Sequence, residues 1–301
     1  KRDDQVLRNF NLSVTVTDAF MEAVMKDDDY ALIHPVKKTV TTRIKAAEVF
    51  QEIVLSAWQT GDPGMLFGDR INRSNPTPHI ESIEATNPCG EIPLLNHESC
   101  NLGSLNLAHM LEENNRSINK EKLLSTVKTA VRFLDDVISM NRYPIPEIET
   151  VTQGNRKIGL GVMGFSEMLI RMGISYDSEE AVQIGSYVMS LISQSAISAS
   201  CQLAQERGSY RNWKGSVHDQ NDIYIRNATF TAIAPTGTIG IIADTTPSIE
   251  PLFALAYKRV NVLEDKELQE VNPLFTKYAE NYHLNVDQVV AHMIEKGTLK
   301  E

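Results

Sequence analysis

The spacing of apolar residues along the chain predicts several amphipathic helices. Apolar residues recur every three or four positions, the period of one helix face, in residues 19–25, 42–60, 119–140, 165–172 and 177–208. Asp18, Asn119 and Asp177 carry side chains that accept hydrogen bonds from the first free N–H groups of a helix, so we expect them to be N-caps. Gly61 and Gly208 follow two of these segments and are expected to end them.

Shorter apolar or alternating segments predict strands between the helices. Residues 9–16 alternate polar and apolar side chains, the pattern of a strand with one buried face. Residues 157–162 and 229–234 are apolar and partly β-branched, which favours buried strands. Residues 263–301 are expected to be a mostly helical, peripheral segment. Because strands alternate with helices and no linker or repeat divides the chain, we predict one α/β domain over residues 1–301 with largely parallel strands.

Composition and charge narrow the class of protein. The chain has 301 residues, of which 42% are hydrophobic and 23% are charged, proportions that are ordinary for a soluble globular protein. Its formal net charge of -10 argues against binding a nucleic-acid polymer or an anionic membrane surface. No apolar stretch approaches the roughly 20 residues that cross a bilayer. Three cysteines do not make a disulfide framework, so we expect a reducing, cytoplasmic setting.

Two of the three cysteines lie in unusually polar stretches. Cys89 stands between Asn87 and Glu91, in a loop where two prolines and a glycine disfavour a long helix. Cys100 follows in a second polar stretch. A thiol, an amide and a carboxylate on alternate residues of a loop indicate a site rather than packing.

Three other interpretations of these cysteines stay open. Free cysteines are commonly buried as small hydrophobes. Zinc binding is a second alternative, although the chain has no C-x-x-C spacing. The third is an ordinary thiol nucleophile, in which His79 or His97 would activate Cys89. The remaining cysteine, Cys201, lies among apolar residues of a predicted helix and is expected to be core packing. The scattered histidines lack ligand spacing and predict no protein-bound metal.

A second stretch has the residues of a phosphate-binding loop. The predicted strand leads directly into Pro235, Thr236, Gly237, Thr238 and Ile239. Glycine lets backbone N–H groups approach phosphate oxygens, and a following helix adds partial positive charge. There is no Walker lysine, and a plain strand-to-helix turn is the alternative. Residues 159–164 formally match the dinucleotide pattern G-x-G-x-x-G, but close packing explains their glycines equally well.

These stretches resemble the catalytic subunits of ribonucleotide reductases. Residues 87–91, Asn-Pro-Cys-Gly-Glu, and residues 98–107 resemble the active-site segment of that family, and residues 234–239, Ala-Pro-Thr-Gly-Thr-Ile, resemble its phosphate-binding loop. Further resemblance, in the same order along the chain, is found in residues 9–14, 61–64 and 156–164. The residues of these motifs most resemble those of the class II enzymes, which depend on adenosylcobalamin.

The resemblance implies a fold and a role for each residue of the polar loop. The fold would be part of a ten-stranded α/β barrel with a finger loop through its centre. Cys89 at the tip would be the transient thiyl radical that abstracts hydrogen from the ribose. Glu91 would be a general base, Asn87 would hydrogen-bond the sugar hydroxyls, and Cys100 would supply reducing equivalents.

The resemblance also implies a reaction and its partners. Ribonucleoside di- or triphosphates would be reduced to 2′-deoxyribonucleotides for DNA synthesis, with Ser13 and residues 235–239 binding the substrate. Adenosylcobalamin would generate the radical, and an external dithiol such as thioredoxin would restore the cysteines. Nucleotide effectors would regulate the full-length enzyme, and a homodimer is one expected assembly.

One part of the family pattern is missing from this sequence. The family's second redox cysteine lies upstream of the finger loop, and no cysteine precedes Cys89 here. The N-terminal effector region, the first and last barrel strands and the C-terminal cysteine tail are not recognisable either, so we expect an internal fragment. The alternative function is a non-catalytic or split-enzyme piece that needs other chains for activity.

Overall fold

The chain alternates short strands with helices from Ser13 onward. The computed structural model describes residues 10–252, 254–262, 266–281 and 283–297. The strands are β1 (Ser13–Val16), β2 (Asp29–Ile33), β3 (Val40–Lys45), β4 (Gly64–Phe67), β5 (Ala85–Thr86), β6 (Pro93–Leu94), β7 (Asn101–Asn106), β8 (Ile158–Met163), β9 (Ala256–Val262) and β10 (Lys266–Val271). The α-helices are α1 (Asp18–Lys26), α2 (Ala46–Thr60), α3 (Gly68–Arg73), α4 (Lys120–Met140), α5 (Pro146–Asn155), α6 (Phe165–Met172), α7 (Glu179–Arg207), α8 (Val217–Gln220), α9 (Gly237–Ile242), α10 (Pro273–Asn281) and α11 (Val286–Lys296).

Three extended segments form the centre of the structure. β7 and β8 pair in parallel, beginning with Asn101 opposite Ile158. Residues 229–232 run along the other edge of β8, where Leu160 N–H donates to the carbonyl of Phe230 at 2.8 Å. Within this segment only Thr231 forms a β-bridge, a parallel one with Leu160. The strand predicted for residues 229–234 is therefore shorter than expected. It ends early because the loop that follows turns out of the sheet.

The remaining strands form separate pairs. β1 pairs with β4 in parallel, whereas β2–β3, β5–β6 and β9–β10 are antiparallel. The prediction of largely parallel strands therefore holds for the pairs that join distant segments and is wrong for the three local hairpins. A short turn can connect only antiparallel neighbours, which is why these hairpins differ. The fold is mixed α/β, as predicted.

The main core lies between β8 and the helices α4 and α7. Every residue of β8 is buried. The predicted apolar face of α4 is confirmed, because Leu123, Val127, Val131, Leu134 and Ile138 are all 3% exposed or less. Each such side chain contributes about 1.5–3 kcal/mol by leaving water. Neither α7, with 29 residues, nor any other helix of the described residues is long and apolar enough to cross a membrane.

One of the three predicted N-caps is confirmed, and in the other two helices the N-cap is a neighbouring residue. Asn119 caps α4 as expected. Thr17 caps α1 instead of Asp18, and Ser178 caps α7 instead of Asp177. In both corrected cases two neighbouring residues can accept hydrogen bonds. The one that caps is the residue with extended backbone before the first helical turn.

Three element boundaries also differ from the prediction. The helix predicted from residue 42 begins at Ala46, because the β-branched residues of β3 pair with β2 instead. The strand predicted for residues 9–16 is β1 from Ser13, and residue 9 lies outside the described residues. The segment predicted as mostly helical after residue 263 contains β10 before α10 and α11.

Two glycines of β8 explain how the central segments come so close. A methyl group placed on Gly161 would lie 2.1 Å from the carbonyl oxygen of Ala232. One placed on Gly159 would lie 2.5 Å from the Leu102 side chain and 2.9 Å from Ala232. Both distances are shorter than real side chains show. Close packing therefore accounts for the glycines of residues 159–164, and the dinucleotide pattern is a chance match.

A buried carboxylate joins α4 to three arginines. Asp135 is fully buried and accepts from Arg156 Nε at 2.8 Å, Arg226 Nε at 3.3 Å and Arg207 Nη1 at 3.4 Å. Asn227 donates to the same carboxylate at 3.0 Å. Burial alone would raise the pKa of Asp135, but the hydrogen bond and charge of Arg156, with help from Arg226, outweigh it and lower the pKa.

We expect Gly161→Ala to lower the free energy of unfolding by at least about 2 kcal/mol, since the added methyl group has no room. Gly185→Ala in α7 is the matched control. Its methyl group would meet Phe165 at an ordinary 3.4 Å, and alanine favours a helix by about 0.5–1 kcal/mol over glycine. Urea unfolding followed by circular dichroism measures both. Equal stability of the two variants would contradict the packing argument.

We expect Asp135→Asn to cost about 3–5 kcal/mol at neutral pH, because it leaves buried arginines without their counter-charge. Asp136→Asn, which touches only an exposed ion pair with Arg207, should cost less than about 1 kcal/mol. Because the folded pKa of Asp135 is lowered, its stabilisation is present above the unfolded value of about 3.9 and is lost as the pH falls through the folded value. The stability difference between parent and Asp135→Asn should therefore shrink in urea titrations below about pH 4.

Candidate functional site

The polar loop singled out in the sequence is a short hairpin with a closed tip. β5 and β6 pair at its base, with Ala85 opposite Leu94. At the tip, Asn87 N–H donates to Ile92 O at 3.2 Å, and Ile92 N–H donates to Asn87 Oδ1 at 2.9 Å. Gly90 has φ +89°, a left-handed conformation that glycine adopts without strain. We call residues 85–94 the finger loop.

The finger loop presents two reactive groups in different environments. Cys89 is exposed, and a methyl group on the adjacent Gly90 would meet no atom within 4 Å, so the tip is open. Glu91 Oε2 is buried and has no hydrogen-bond partner among the residues that the structure describes. A buried acceptor without a partner costs about 1–3 kcal/mol, so this oxygen is poised to receive a donor from outside the chain. Asn87 uses its Oδ1 to close the tip, which leaves its amide N–H groups for other partners.

The finger loop packs on the central sheet. The Ile92 side chain lies 3.6 Å from the position that a methyl group would occupy on Gly159 of β8. On another side, Asn11 Nδ2 donates to the carbonyl of Pro88 at 3.1 Å. Ser13 follows two residues later in β1, opposite Gly64, and is exposed. The structure thus brings the segment that carries Ser13 to the finger loop.

Cys100 lies at the amino end of β7 and is half-buried. In the parallel register, Asn101 stands opposite Ile158, which places Cys100 beside Lys157 one residue before the pairing begins. Burial raises the pKa of the Cys100 thiol to about 12; the positive charge of Lys157 opposes this, and the negative charge of Glu98 adds to it. Its Sγ donates to the carbonyl of Asn101 at 3.6 Å. Cys100 is therefore a protonated thiol at neutral pH.

A buried ion pair next to Cys100 was not predicted from the sequence. Lys157 Nζ donates to Glu98 Oε2 at 2.7 Å, and both side chains are 2% exposed or less. Glu98 also accepts from Leu95 N–H at 2.9 Å and from Asn155 Nδ2 at 2.6 Å. The only sequence signals were a carboxylate two residues before Cys100 and a lysine at the start of a fully apolar strand.

The predicted phosphate loop lies at the carboxyl ends of the same three segments. Thr236 is buried, has φ +53° and accepts from Ser248 N–H at 2.6 Å, so its hydroxyl holds the loop in shape. Pro235 and Ile239 are exposed, as are Gly237 and Thr238. Within the described parts of the chain, the N–H groups of residues 237–239 have no acceptor at the start of α9. Gly237 and Thr238 also line a cleft of about 820 Å³.

A second polar group at these carboxyl ends was also missed. Thr245 Oγ1 lies 2.5 Å from Glu167 Oε2 and 3.3 Å from Asn106 Oδ1 at the end of β7. The Asn106 Nδ2 is buried and finds no hydrogen-bond acceptor in the described part of the chain. A methyl group on Gly164, which has φ +72°, would collide with both Asn106 and Thr245. Contacts between residues so far apart in sequence leave no local pattern.

The alternative interpretations of the cysteines fare differently. No hydrogen bond joins Cys89 to a histidine in the described ranges, and His79 lies instead against Gly215. Cys201 is half-buried and packs beside Tyr210, as expected for core packing. All three cysteines are free thiols.

The fold and the site define an α/β protein with a thiol-bearing finger loop packed on a parallel sheet. The family model described as "Ribonucleotide reductase, barrel domain" matches residues 1–225 and 224–301. The chain belongs to this family. Its recognition from the sequence is therefore confirmed, and the fold class with it.

Named relatives support the same assignment. The chain is 48% identical over 298 residues to a vitamin B12-dependent ribonucleoside-diphosphate reductase of Thermoplasma acidophilum. The aligned region covers 99% of this chain and 38% of the relative. A protein of the same name from Mycobacterium tuberculosis is 47% identical, over 98% of this chain and 42% of the relative. A ribonucleoside-diphosphate reductase subunit alpha of Chlamydia muridarum is 35% identical over 73% of this chain and 25% of the relative. The chain thus spans about two fifths of the length of the first two relatives.

We expect iodoacetamide at pH 8 to label Cys89 much faster than Cys100. Cys89 is exposed, whereas a thiol with a pKa of about 12 is ionised in roughly one molecule in ten thousand at that pH. Peptide mass spectrometry over a time course measures each site separately. Labelling of Cys100 at the rate of Cys89 would show that the described geometry of the thiol is wrong.

Proposed function

We propose that this chain is the central catalytic segment of a class II ribonucleotide reductase. In this proposal Cys89 abstracts hydrogen from the ribose, Glu91 manages a proton of the sugar, and Asn87 hydrogen-bonds the sugar hydroxyls. The observation that best supports this proposal is that Glu91 Oε2 is buried without a hydrogen-bond partner among the described residues. Glu91 lies two residues from the exposed thiol of Cys89. A ribose hydroxyl is the donor that would satisfy this oxygen, and a positioned carboxylate can then accept its proton.

The substrate's phosphates would be held at the carboxyl ends of the sheet. The exposed N–H groups that open α9 can donate to phosphate oxygens, and glycine at position 237 lets them approach. Thr236 would act through the shape of the loop, because its hydroxyl already accepts from Ser248. Thr238, Pro235 and Ile239 would line the same site, and Ser13 would approach from β1. A ribonucleoside diphosphate or triphosphate is the proposed substrate.

Cys100 would supply part of the reducing power. Replacing a 2′-hydroxyl by hydrogen consumes two thiols, which form a disulfide while the hydroxyl leaves as water. Cys100 is one of these thiols, and no cysteine precedes Cys89 to serve as the second. In this proposal the second thiol belongs to another part of the longer protein, and an external dithiol such as thioredoxin regenerates both.

Adenosylcobalamin is the proposed cofactor, in line with the names of the two most similar relatives described above. The open tip at Cys89 and Gly90 fits a radical source that approaches from outside the chain. When bound, the cofactor supplies the radical that side chains alone cannot generate. This chain contributes the thiol that receives it. Nucleotide effectors, a homodimer and a cytoplasmic location belong to the same proposal for the whole protein.

A second candidate function is a non-catalytic or split-enzyme piece that depends on other chains. The missing thiol partner of Cys100 and the coverage of about two fifths of the relatives favour it. Adding the flanking segments in a second chain distinguishes the candidates. Reductase activity that appears only on mixing supports a split enzyme, and no activity on mixing supports a non-catalytic piece.

In the longer parent protein, we expect Cys89→Ser to abolish formation of deoxyribonucleotide in the presence of adenosylcobalamin and a dithiol. Cys201→Ser is the matched control and should retain turnover, because Cys201 packs in the core away from the finger loop. Product is measured by chromatography with and without the cofactor, and circular dichroism confirms that both variants fold. Retained turnover by Cys89→Ser, or activity only with a metal-loaded radical subunit, would contradict the proposal.

A further inference from the structure

The buried ion pair between Glu98 and Lys157 connects three parts of the proposed site. Lys157 opens β8, and Glu98 precedes Cys100 by two residues. Through Leu95 N–H, the same carboxylate holds the residue that directly follows the finger loop, and through Asn155 it holds the end of α5. Removing either charge would therefore affect both the loop that carries Cys89 and the setting of Cys100.

Both carboxylate oxygens of Glu98 accept hydrogen bonds, as expected for a buried carboxylate. Oε2 accepts from Lys157 and Leu95, and Oε1 accepts from Asn155. Burying two charges costs several kcal/mol each, and only good geometry with further hydrogen bonds offsets this cost. An apolar pair of similar volume is often as stable. The stability of the fold alone therefore does not explain why this position holds an ion pair instead of apolar side chains.

The residues on either side of Cys100 are hydrogen-bonded to neighbouring elements. Its neighbour Ser99 donates its N–H to Thr152 Oγ1 at 3.1 Å, and Asn101 Nδ2 donates to Leu134 O at 3.0 Å. The thiol lies near one positive and one negative charge, and their effects on it oppose each other. Loss of one charge would leave the other acting alone on the thiol.

Other charged groups on the packed elements are already engaged. Asp135 of α4 is bonded to Arg156, the residue before Lys157. Glu91 lies on the finger loop that packs on the same sheet, but it does not contribute to the shift at Cys100. Among the residues that the structure describes, Glu98 and Lys157 are the charges that act on this thiol.

We propose that Glu98 and Lys157 are positioning residues: their ion pair joins the segment that carries Cys100 to the start of β8, and Glu98 offsets the charge that Lys157 would otherwise exert on the thiol. This inference rests on the proposed function for its purpose, because a thiol that is to give up hydrogen must carry it. It goes beyond that function by assigning a role to two residues that touch neither the tip nor the phosphate loop. Neither residue is itself catalytic.

The test is the rate at which Cys100 of the full chain is alkylated as the pH is raised from 7 to 9.5. In Glu98→Gln the charge of Lys157 acts on the thiol without opposition. We therefore expect the Cys100 rate to rise by about tenfold for each unit by which its pKa falls. Lys157→Arg, which keeps the charge, should keep the parental rate. Peptide mass spectrometry assigns every rate to its cysteine.

The double variant Glu98→Gln with Lys157→Met distinguishes an effect of charge on the Cys100 thiol from a loosening of the structure around it. It removes both charges, so the Cys100 rate should return towards the parental value, to within about threefold. Cys201 reports on any loosening of the fold in the same sample, because burial alone raises its pKa. The alkylation rate of Cys201 should therefore not change. An unchanged Cys100 rate in Glu98→Gln, or a double variant as fast as the single one, would overturn the inference. These rates need no turnover, so the result is independent of whether the longer protein reduces nucleotides.

Discussion

The close approach of three extended segments at β8 is the constraint on which the rest of the site depends. Side chains at positions 159 and 161 are excluded because Leu102 and Ala232 already occupy that space. The gap above Gly159 receives Ile92, so the finger loop can lie on the sheet instead of standing away from it. A bulkier residue would push the loop and its thiol outward, and it would also separate the segment that leads into the phosphate loop.

Two buried carboxylates then tie the surroundings to the amino end of β8. Consecutive residues, Arg156 and Lys157, each hold one of them: Asp135 from α4 and Glu98 from the stretch after the finger loop. Arg156 ends α5 in a left-handed conformation, φ +50°, and Lys157 follows it immediately before β8, so two adjacent cations reach carboxylates on two different elements. Helix, sheet and finger loop are joined at one place, and Cys100 lies within it.

The sequence allowed prediction of those features whose cause is local. Strong helical periodicity located α4, α6 and α7, and the polar setting of Cys89 located the finger loop. The hairpin β2–β3 was missed because its strands are stabilised by each other more than by their own pattern. The ion pair of Glu98 and Lys157, which are 59 residues apart, and the unpaired oxygen of Glu91 exist only once the chain has folded. Spacing along the sequence carries no record of such contacts.

The groups of the proposed site lie at different positions along the central segments. Loop 235–239 follows the carboxyl ends of the central segments, the finger loop packs on β8 at Gly159, and Cys100 precedes the amino end of β7. Six residues of strand span about 20 Å, so the phosphate loop and Cys100 lie near opposite ends of these segments. In the proposed function, phosphates, ribose and reductant would occupy the sheet in that sequence. The thiol that must give up hydrogen is then the half-buried one, whose pKa is raised by burial while the neighbouring charges of Lys157 and Glu98 oppose each other.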